Sequence, residues 1–322
     1  MSKYDIQPLD FRGLHTVGIH ARGGKVRLDH FARPHRPGGG IRDFVDSLPR
    51  LLAGGDFRAL LAALHAARKA HRAILWGLGG HVVKCGLAPV FIDLMDRGYA
   101  TGFALNGSTA IHDLEIALAG HTSEDVEAVL PGGSFGSADE TGREVNLACA
   151  AAARDGIGCG EALGRRLEEI ADPRYAGSSL VLAAWRRSVP VTVHIAIGTD
   201  TPHAHPLARG DSLGAASHHD FRLFCSLVRG LDQGGVYVNA GSAVILPEVF
   251  LKAVSVVRNL GHPLREFTTA NLDFLQHYRP SVNVVRRPHA QSGGRGIALT
   301  GHHEIMIPLL AAALSEMDER DS

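Results

Sequence analysis

The chain has 322 residues, 45% of them hydrophobic, which is enough apolar material for a substantial core. Lys plus Arg and Asp plus Glu both number 33, so the formal net charge is zero and no basic field favours nucleic acid or an anionic membrane. The N-terminal stretch "MSKYDIQPLD" has neither the basic nor the apolar region of a signal peptide, and the longest apolar run, "IMIPLLAAAL", is too short to span a bilayer. The four cysteines form no C-x-x-C pair, and this pattern fits a reducing cytoplasm better than a disulfide framework.

The first 40 residues, ending in "RPHRPGGG", read as an irregular arm with some strand character around "LHTVGIHA", because Gly and Pro punctuate them too densely for a helix. This arm is expected to lie over a neighbouring surface. From Ile41 to His71 the apolar spacing predicts two short helices broken at Gly54-Gly55. An alternation of strands and helices then begins. "AILWGL" reads as a buried strand and "VKCGLAPVFIDLMDRG" as a helix closed by Gly98. "ATGFALNG" is a second strand, and "TAIHDLEIALAG" a second helix closed by Gly120. Such alternation implies a parallel sheet with right-handed crossovers, whose ligands sit beyond the carboxyl ends of the strands.

A Gly-rich link follows, and "SADE" at Ser137 to Glu140 reads as a capping box for a helix running through Ala153. With a further helix over about 160–171, residues 131–172 read as a helical insertion or lid outside the sheet. Then come helix "SSLVLAAWRRS", strand "VPVTVHIAIG", a His-rich loop, a helix through Arg229, strand "GGVYVNAG" and helix "PEVFLKAVSVVRNLG". Strands at "REFTTAN" and "VNVVRRP" and a closing helix from about His303 complete the series. The fold class is therefore α/β: a doubly wound, mostly parallel, Rossmann-like sheet with helices on both faces. Residues 41–322 read as a single domain behind the arm of residues 1–40.

Two glycine clusters follow strands. Gly77, Gly79 and Gly80 precede one helix; Asn106, Gly107 and Ser108 precede the next. Amides opening a helix attract phosphate, although the first cluster departs from G-x-G-x-x-G and a plain tight turn explains it as well. The order of features from Ile74 to Leu118, and again from Pro190 to Leu310, resembles deoxyhypusine synthase. "WGLGGHVVKCGL" stands where that family has a Gly- and Ser-rich turn, and "ALNGSTAIHDLEIAL" where it has an Ala-Gly-Gly turn and an acidic helix. "VPVTVHIAIGTD" resembles the strand that delivers an aspartate, here Asp200. "VNAGSAVILPEVFLKA" resembles its glycine turn and catalytic helix, "FTTAN" its cofactor turn at Thr269, and "HEIMIPLLAAAL" its closing helix.

The resemblance implies NAD as cofactor, a homo-oligomer (dimer or tetramer), and a cofactor contact at His302 in place of an aspartate. It also implies a divergent member. "SVNVVRRPHAQSGGRG" has arginines but no lysine where the family keeps its imine-forming lysine, and arginine supplies no neutral amine. The paired glutamates of the family are replaced by Ile111 and His112, leaving Asp113, and its histidine pair by Pro247 and Glu248. The chain thus reads as an NAD-dependent enzyme acting on a small molecule by hydride transfer or dehydrogenation-coupled group transfer, and not as a deoxyhypusine synthase. Asp200, Glu248 and His112 would be its proton-transfer or orienting groups.

Structural roles compete with each of these: Asp200 as a turn cap, Glu248 as a helix-dipole partner, and Ser108 or Thr109 as a cap. Two further readings stay open. Asp200, His203 and His205 on one loop would hold zinc or another divalent ion for a hydrolase or isomerase. Alternatively, the chain is a non-catalytic nucleotide-binding protein.

Overall fold

In a computed structural model describing residues 3–318, the alternating region becomes six parallel strands with helices on both faces. Behind the arm come α1 (Ile41–Ser47), α2 (Leu52–Lys69), β1 (Ile74–Leu78), α3 (Gly80–Lys84), α4 (Ala88–Asp96), β2 (Gly102–Asn106) and α5 (Gly107–Ala119). Next are α6 (Val126–Val129), α7 (Asp139–Asp155), α8 (Cys159–Ile170), α9 (Leu180–Arg186), β3 (Val191–His194) and α10 (Gly210–Arg229). The chain closes with β4 (Val236–Ala240), α11 (Ile245–Asn259), β5 (Thr268–Asp273), β6 (Arg295–Thr300) and α12 (His303–Asp318).

The strand order is β3-β2-β1-β4-β5-β6, so the winding reverses between β1 and β4. Alternate residues of each strand face opposite layers. Ile74, Trp76 and Leu78 of β1 join Phe103, Leu105, Val236 and Val238 in a large core covered by α2, α4, α5, α9 and α12. Leu75, Ala104 and Tyr237 face the other way, onto Phe224, Val228, Phe250 and Val254 of α10 and α11. Burial on both faces explains why these strands read as continuous apolar runs. Val145, Cys149, Leu163 and Leu167 of α7 and α8 belong to the larger core, so the stretch at 131–172 packs into the domain and does not hang outside it as a lid.

Several local expectations differ from what is observed. Gly54 and Gly55 do not break a helix: they lie in the first turn of α2, where a Cβ on Gly54 would strike the Pro49 carbonyl, and the break falls at 48–51. The capping box at Ser137–Glu140 does not form, because α7 starts at Asp139 behind Ala138. "VNVVRRP" is no strand. Pro280–Arg286 forms a π-helical turn that buries Val282 and Val284, and the sixth strand is "RGIALT" at 295–300.

The arm shows no strand, only short 3-10 turns at Phe11–Gly13 and Leu28–His30. Ten large apolar side chains between Tyr4 and Phe31 are 56–84% exposed. The arm is tied to α1 and its flank by Arg50 N–H donating to the His30 carbonyl and Arg33 N–H to that of Ser47.

Candidate functional site

The loops at the carboxyl ends of β1 and β4 meet directly. Gly79 N–H donates to the Ala240 carbonyl at 2.9 Å, and a Cβ on Gly79 would overlap the Gly241 backbone. Gly241, at φ +72°, is itself wedged between Val82 and His303, whose nearest atoms would lie 3.2 and 3.1 Å from an added Cβ. Gly77, inside β1, leaves room for the Tyr237 hydroxyl. Gly77 and Gly79 therefore serve close approach of the protein to itself at the switch point.

The open space lies to one side, beyond β2 and β3. A cavity of about 250 Å³ is lined by Lys84, Ser108, His112, Glu115, Glu124, Phe135, Thr199, Asp200 and Thr201, among others. Its floor is the N-terminus of α5. The Asn106 side chain caps this helix by accepting from Thr109 N–H at 3.0 Å, which leaves Gly107 and Ser108 at the tip. Gly80 at the start of α3 sits against this tip, since a Cβ there would come within 2.5 Å of Ser108 Oγ and 3.3 Å of His112 Cδ2. The two glycine clusters thus converge.

Asp200 packs face-on against Gly107, in space that a side chain at position 107 would fill. The turn after it is fixed from α7: buried Asn146 donates its amide to the Pro202 carbonyl at 2.9 Å. Asp200 Oδ2 is buried without a hydrogen-bond partner among the described residues. Burial raises its carboxyl above the ordinary value, against the opposing pull of His203 and the Thr199 hydroxyl.

His112 is oriented by a chain of hydrogen bonds. Thr122 Oγ1 donates to Glu115 Oε2 at 2.5 Å and lies 2.6 Å from His112 Nδ1; Thr141 Oγ1 donates to the other oxygen of Glu115 at 3.0 Å. An ionised carboxylate only accepts, and a hydroxyl has one proton to give, so Nδ1 of His112 must donate to Thr122. That fixes the tautomer with a free lone pair on Nε2. Burial, with Lys84 adding to it and Glu115 opposing, lowers the His112 pKa below the ordinary histidine value and keeps the ring neutral. A neutral imidazole of fixed tautomer in one cavity with a half-buried carboxylate is an arrangement able to move a proton.

Of the residues singled out from sequence, the cavity unites Ser108, His112 and Asp200; Gly80 packs against Ser108 and His112, Gly107 against Asp200, and Asn106 caps α5 beneath them. Glu248 is elsewhere, on α11, paired with Lys252 and Arg279 and accepting from Asn283 Nδ2. Thr269 is fully buried near the amino end of β5, where its hydroxyl donates to the Val284 carbonyl at 2.6 Å. His302 lies exposed, stacked on Phe274 with ring centroids 6.2 Å apart.

The loop histidines do not gather around Asp200 as a ligand set. His203 Nδ1 accepts from the amides of Gly198 and Asp200, and His205 packs on Gly142 of α7 with Nε2 3.4 Å from Asp139 Oδ1. Asp113, the carboxylate left where the resemblance has paired glutamates, is wholly buried. It caps α9 by accepting from Ser179 Oγ and the amides of Leu180 and Val181.

Sequence reasoning missed Glu115, Thr122 and Glu124. Glu115 was visible as the residue one turn after His112; Thr122 was not, because it reaches the site only through the turn at Gly120.

No protein-family model and no curated protein sequence matches this chain. Solved structures do. A conserved protein of proposed LOR/SDH type from Methanococcus maripaludis S2 aligns over 83% of this chain and 71% of its own, with a TM-score of 0.52 and 14% identity. AgrE, solved in ternary complex with ornithine and NAD+, aligns over 82% of this chain with a TM-score of 0.53 and 13% identity. The fold is shared with these two structures. This chain spans 33% of the AgrE chain. A proposed deoxyhypusine synthase from Entamoeba histolytica aligns over 88% of this chain and 95% of its own, at 10% identity and a TM-score of 0.49. Among the described residues, no helix is long and apolar enough to cross a membrane.

Proposed function

We propose that the protein is an NAD-dependent enzyme that acts on a small molecule by hydride transfer or dehydrogenation-coupled group transfer. The observation that carries this reading is the cavity beyond β2 and β3, in which the His112 lone pair and the Asp200 carboxylate flank the tip of α5. It lies at the carboxyl edge of a parallel sheet in Rossmann order, the edge on which such folds bind their ligands, to one side of the switch between β1 and β4. AgrE, which shares the fold, forms a ternary complex with ornithine and NAD+, and this supports the same pair of ligand classes here.

Charge narrows the substrate. Glu115, Glu124 and Asp200 outnumber Lys84 in the cavity, so it suits an amine or zwitterion better than a phosphate ester. A space of about 250 Å³ holds a substrate of amino-acid size but not a whole dinucleotide. The cofactor fits if it spans the rim. Ser108 at the α5 N-terminus and Lys84 would hold phosphate, and the exposed Phe274 and His302 rings would take the adenine. When bound, NAD accepts or returns the hydride. His112 Nε2 takes the proton from the substrate nitrogen or hydroxyl, and its Nδ1–H stays with Thr122. Asp200 orients the substrate through hydrogen bonds.

The arm supports a homo-oligomer. Its exposed apolar side chains need a cover, and residues 1–40 carry seven basic against three acidic side chains, leaving a net −4 on the rest of a neutral chain. A second copy offers both an apolar surface and the opposite charge. The four free cysteines suit the cytoplasm.

The test is a melting-temperature screen with NAD and NADP, followed by turnover on a panel of amines and amino acids. NAD is expected to raise the Tm of the wild type and of His112→Gln alike, while His112→Gln loses about 10²–10⁴-fold in turnover. Thr122→Val should lower the pH at which activity is lost on acidification, because it removes the hydroxyl that accepts from Nδ1–H and so disfavours the protonated ring. Absence of any NAD effect on Tm would refute the reading; an NAD effect without turnover on the panel would favour a binding protein.

A further inference from the structure

On the side of α3 away from the contact between Gly80 and the α5 tip, the structure assembles a second group of chemically active side chains. His81 and Cys85 are four residues apart, so they project from one face of this turn. Glu304, in the first turn of α12, faces them. The donor atoms of the three side chains all lie within 4.8 Å of one another. We propose that His81, Cys85 and Glu304 form a binding site for a divalent ion of the zinc class.

The donor set argues for that class. A nitrogen, a sulfur and a carboxylate oxygen suit Zn²⁺ and Co²⁺, whereas calcium and magnesium demand oxygen alone. Bonds of about 2.0–2.3 Å in a tetrahedron place ligand atoms about 3.3–3.8 Å apart, so shifts of about 1 Å close the site. Three protein ligands leave a fourth position for water.

The frame is rigid where it matters. Val82, next to His81, and His303, next to Glu304, are both buried and are held on either side of Gly241. His303 is further fixed by a 3.0 Å contact from Nε2 to the Leu272 carbonyl. The His81 ring also packs 5.7 Å from that of His303 and 6.5 Å from that of Phe274, which walls one side of the site. The backbone that presents the ligands is thus set by packing before any ion arrives. No Lys or Arg pairs with Glu304 among the described residues; its ion-pair partner is His302. A divalent cation would complement the charge of this carboxylate.

The experiment titrates the metal-free full-length protein with Co²⁺ alone. Binding at one equivalent with thiolate-to-cobalt charge-transfer absorption is expected in the wild type. Cys85→Ser should abolish that absorption, and His81→Ala and Glu304→Gln should each weaken binding by about tenfold or more. The absence of thiolate absorption, or its persistence in Cys85→Ser, overturns the site. A second measurement needs no variant. Cys85 is the only one of the four cysteines that is not buried, so iodoacetamide reacts first there in the native chain. Zn²⁺ is expected to slow that labelling about tenfold or more, read by peptide mass spectrometry; an unchanged rate overturns the proposal.

Discussion

Asp220 offers a direct test of how burial sets the pH response of this chain. It lies on α10, is wholly buried, and accepts through Oδ2 from Val193 N–H of β3 at 2.8 Å and Gly160 N–H of α8 at 3.0 Å. Oδ1 has no partner among the described residues and packs on Gly158. Burial, opposed by these amides, pushes the carboxyl up to about 7. In the unfolded chain it titrates near about 3.9. The folded state therefore holds the extra proton between these values, so the contribution to stability is full below about pH 4 and is lost as pH rises through about 7. From about pH 5 to about pH 8 the loss amounts to roughly 2.6 kcal/mol. Asp220→Asn keeps one oxygen for both amides and removes the ionisation.

Urea unfolding of the two proteins at both pH values isolates this group, because the other titrations cancel in the difference. They include Asp113, pushed up to about 6 and acting with the same sign. They also include His194, held down to about 3, which costs stability as pH falls below about 6.5. The variant should gain roughly 2–3 kcal/mol on the wild type between the two conditions. Parallel pH profiles would refute the reasoning.

Gly79→Ala forces a methyl into the Gly241 carbonyl and should cost roughly 3 kcal/mol or more, read as a lowered urea midpoint with unchanged slope. A stability loss under about 0.5 kcal/mol would mean the loops separate freely. Asp113→Ala leaves the Ser179 hydroxyl proton and two amides of α9 without an acceptor in the core and should cost roughly 3–6 kcal/mol, a large part of the about 5–15 kcal/mol that holds a domain together. Asp113→Asn, which keeps an acceptor, should recover at least half of that in the same denaturation assay.

The sheet was legible because both of its faces are buried: runs such as "AILWGL" and "GGVYVNAG" have no other use in a chain of this composition. Glycines at helix ends were equally readable at Gly120, which takes the left-handed conformation as C-cap of α5. Val282, Val284 and Val285 carry the β-branched signature of a strand, yet Pro280 starts a helical turn there and the Thr269 hydroxyl bonds the Val284 carbonyl, a partner more than ten residues away.

β6 was overlooked because an edge strand needs only two inward residues, Ile297 and Leu299, and shows no continuous apolar run. In the site, His112 and Asp200 were visible as polar residues at strand ends, and the structure brings them to one cavity. Glu248 and Thr269 looked alike in sequence. Their positions relative to the carboxyl edge decide otherwise, and that is a matter of three-dimensional register.

The backbone contact between Gly79 and Gly241 leaves no slack at the centre of the molecule. Gly79 has no room for a methyl group against the Gly241 backbone, and Gly241 takes a left-handed φ of +72° that other residues rarely adopt, so this joint strongly favours glycine on both sides. The rim is built differently: Lys84 ends α3, and Glu124, Phe135 and Thr199 stand on loops, so it is their side chains that face the cavity. New substrate preferences would therefore arise by exchange of rim side chains, with the anchor beneath them unchanged.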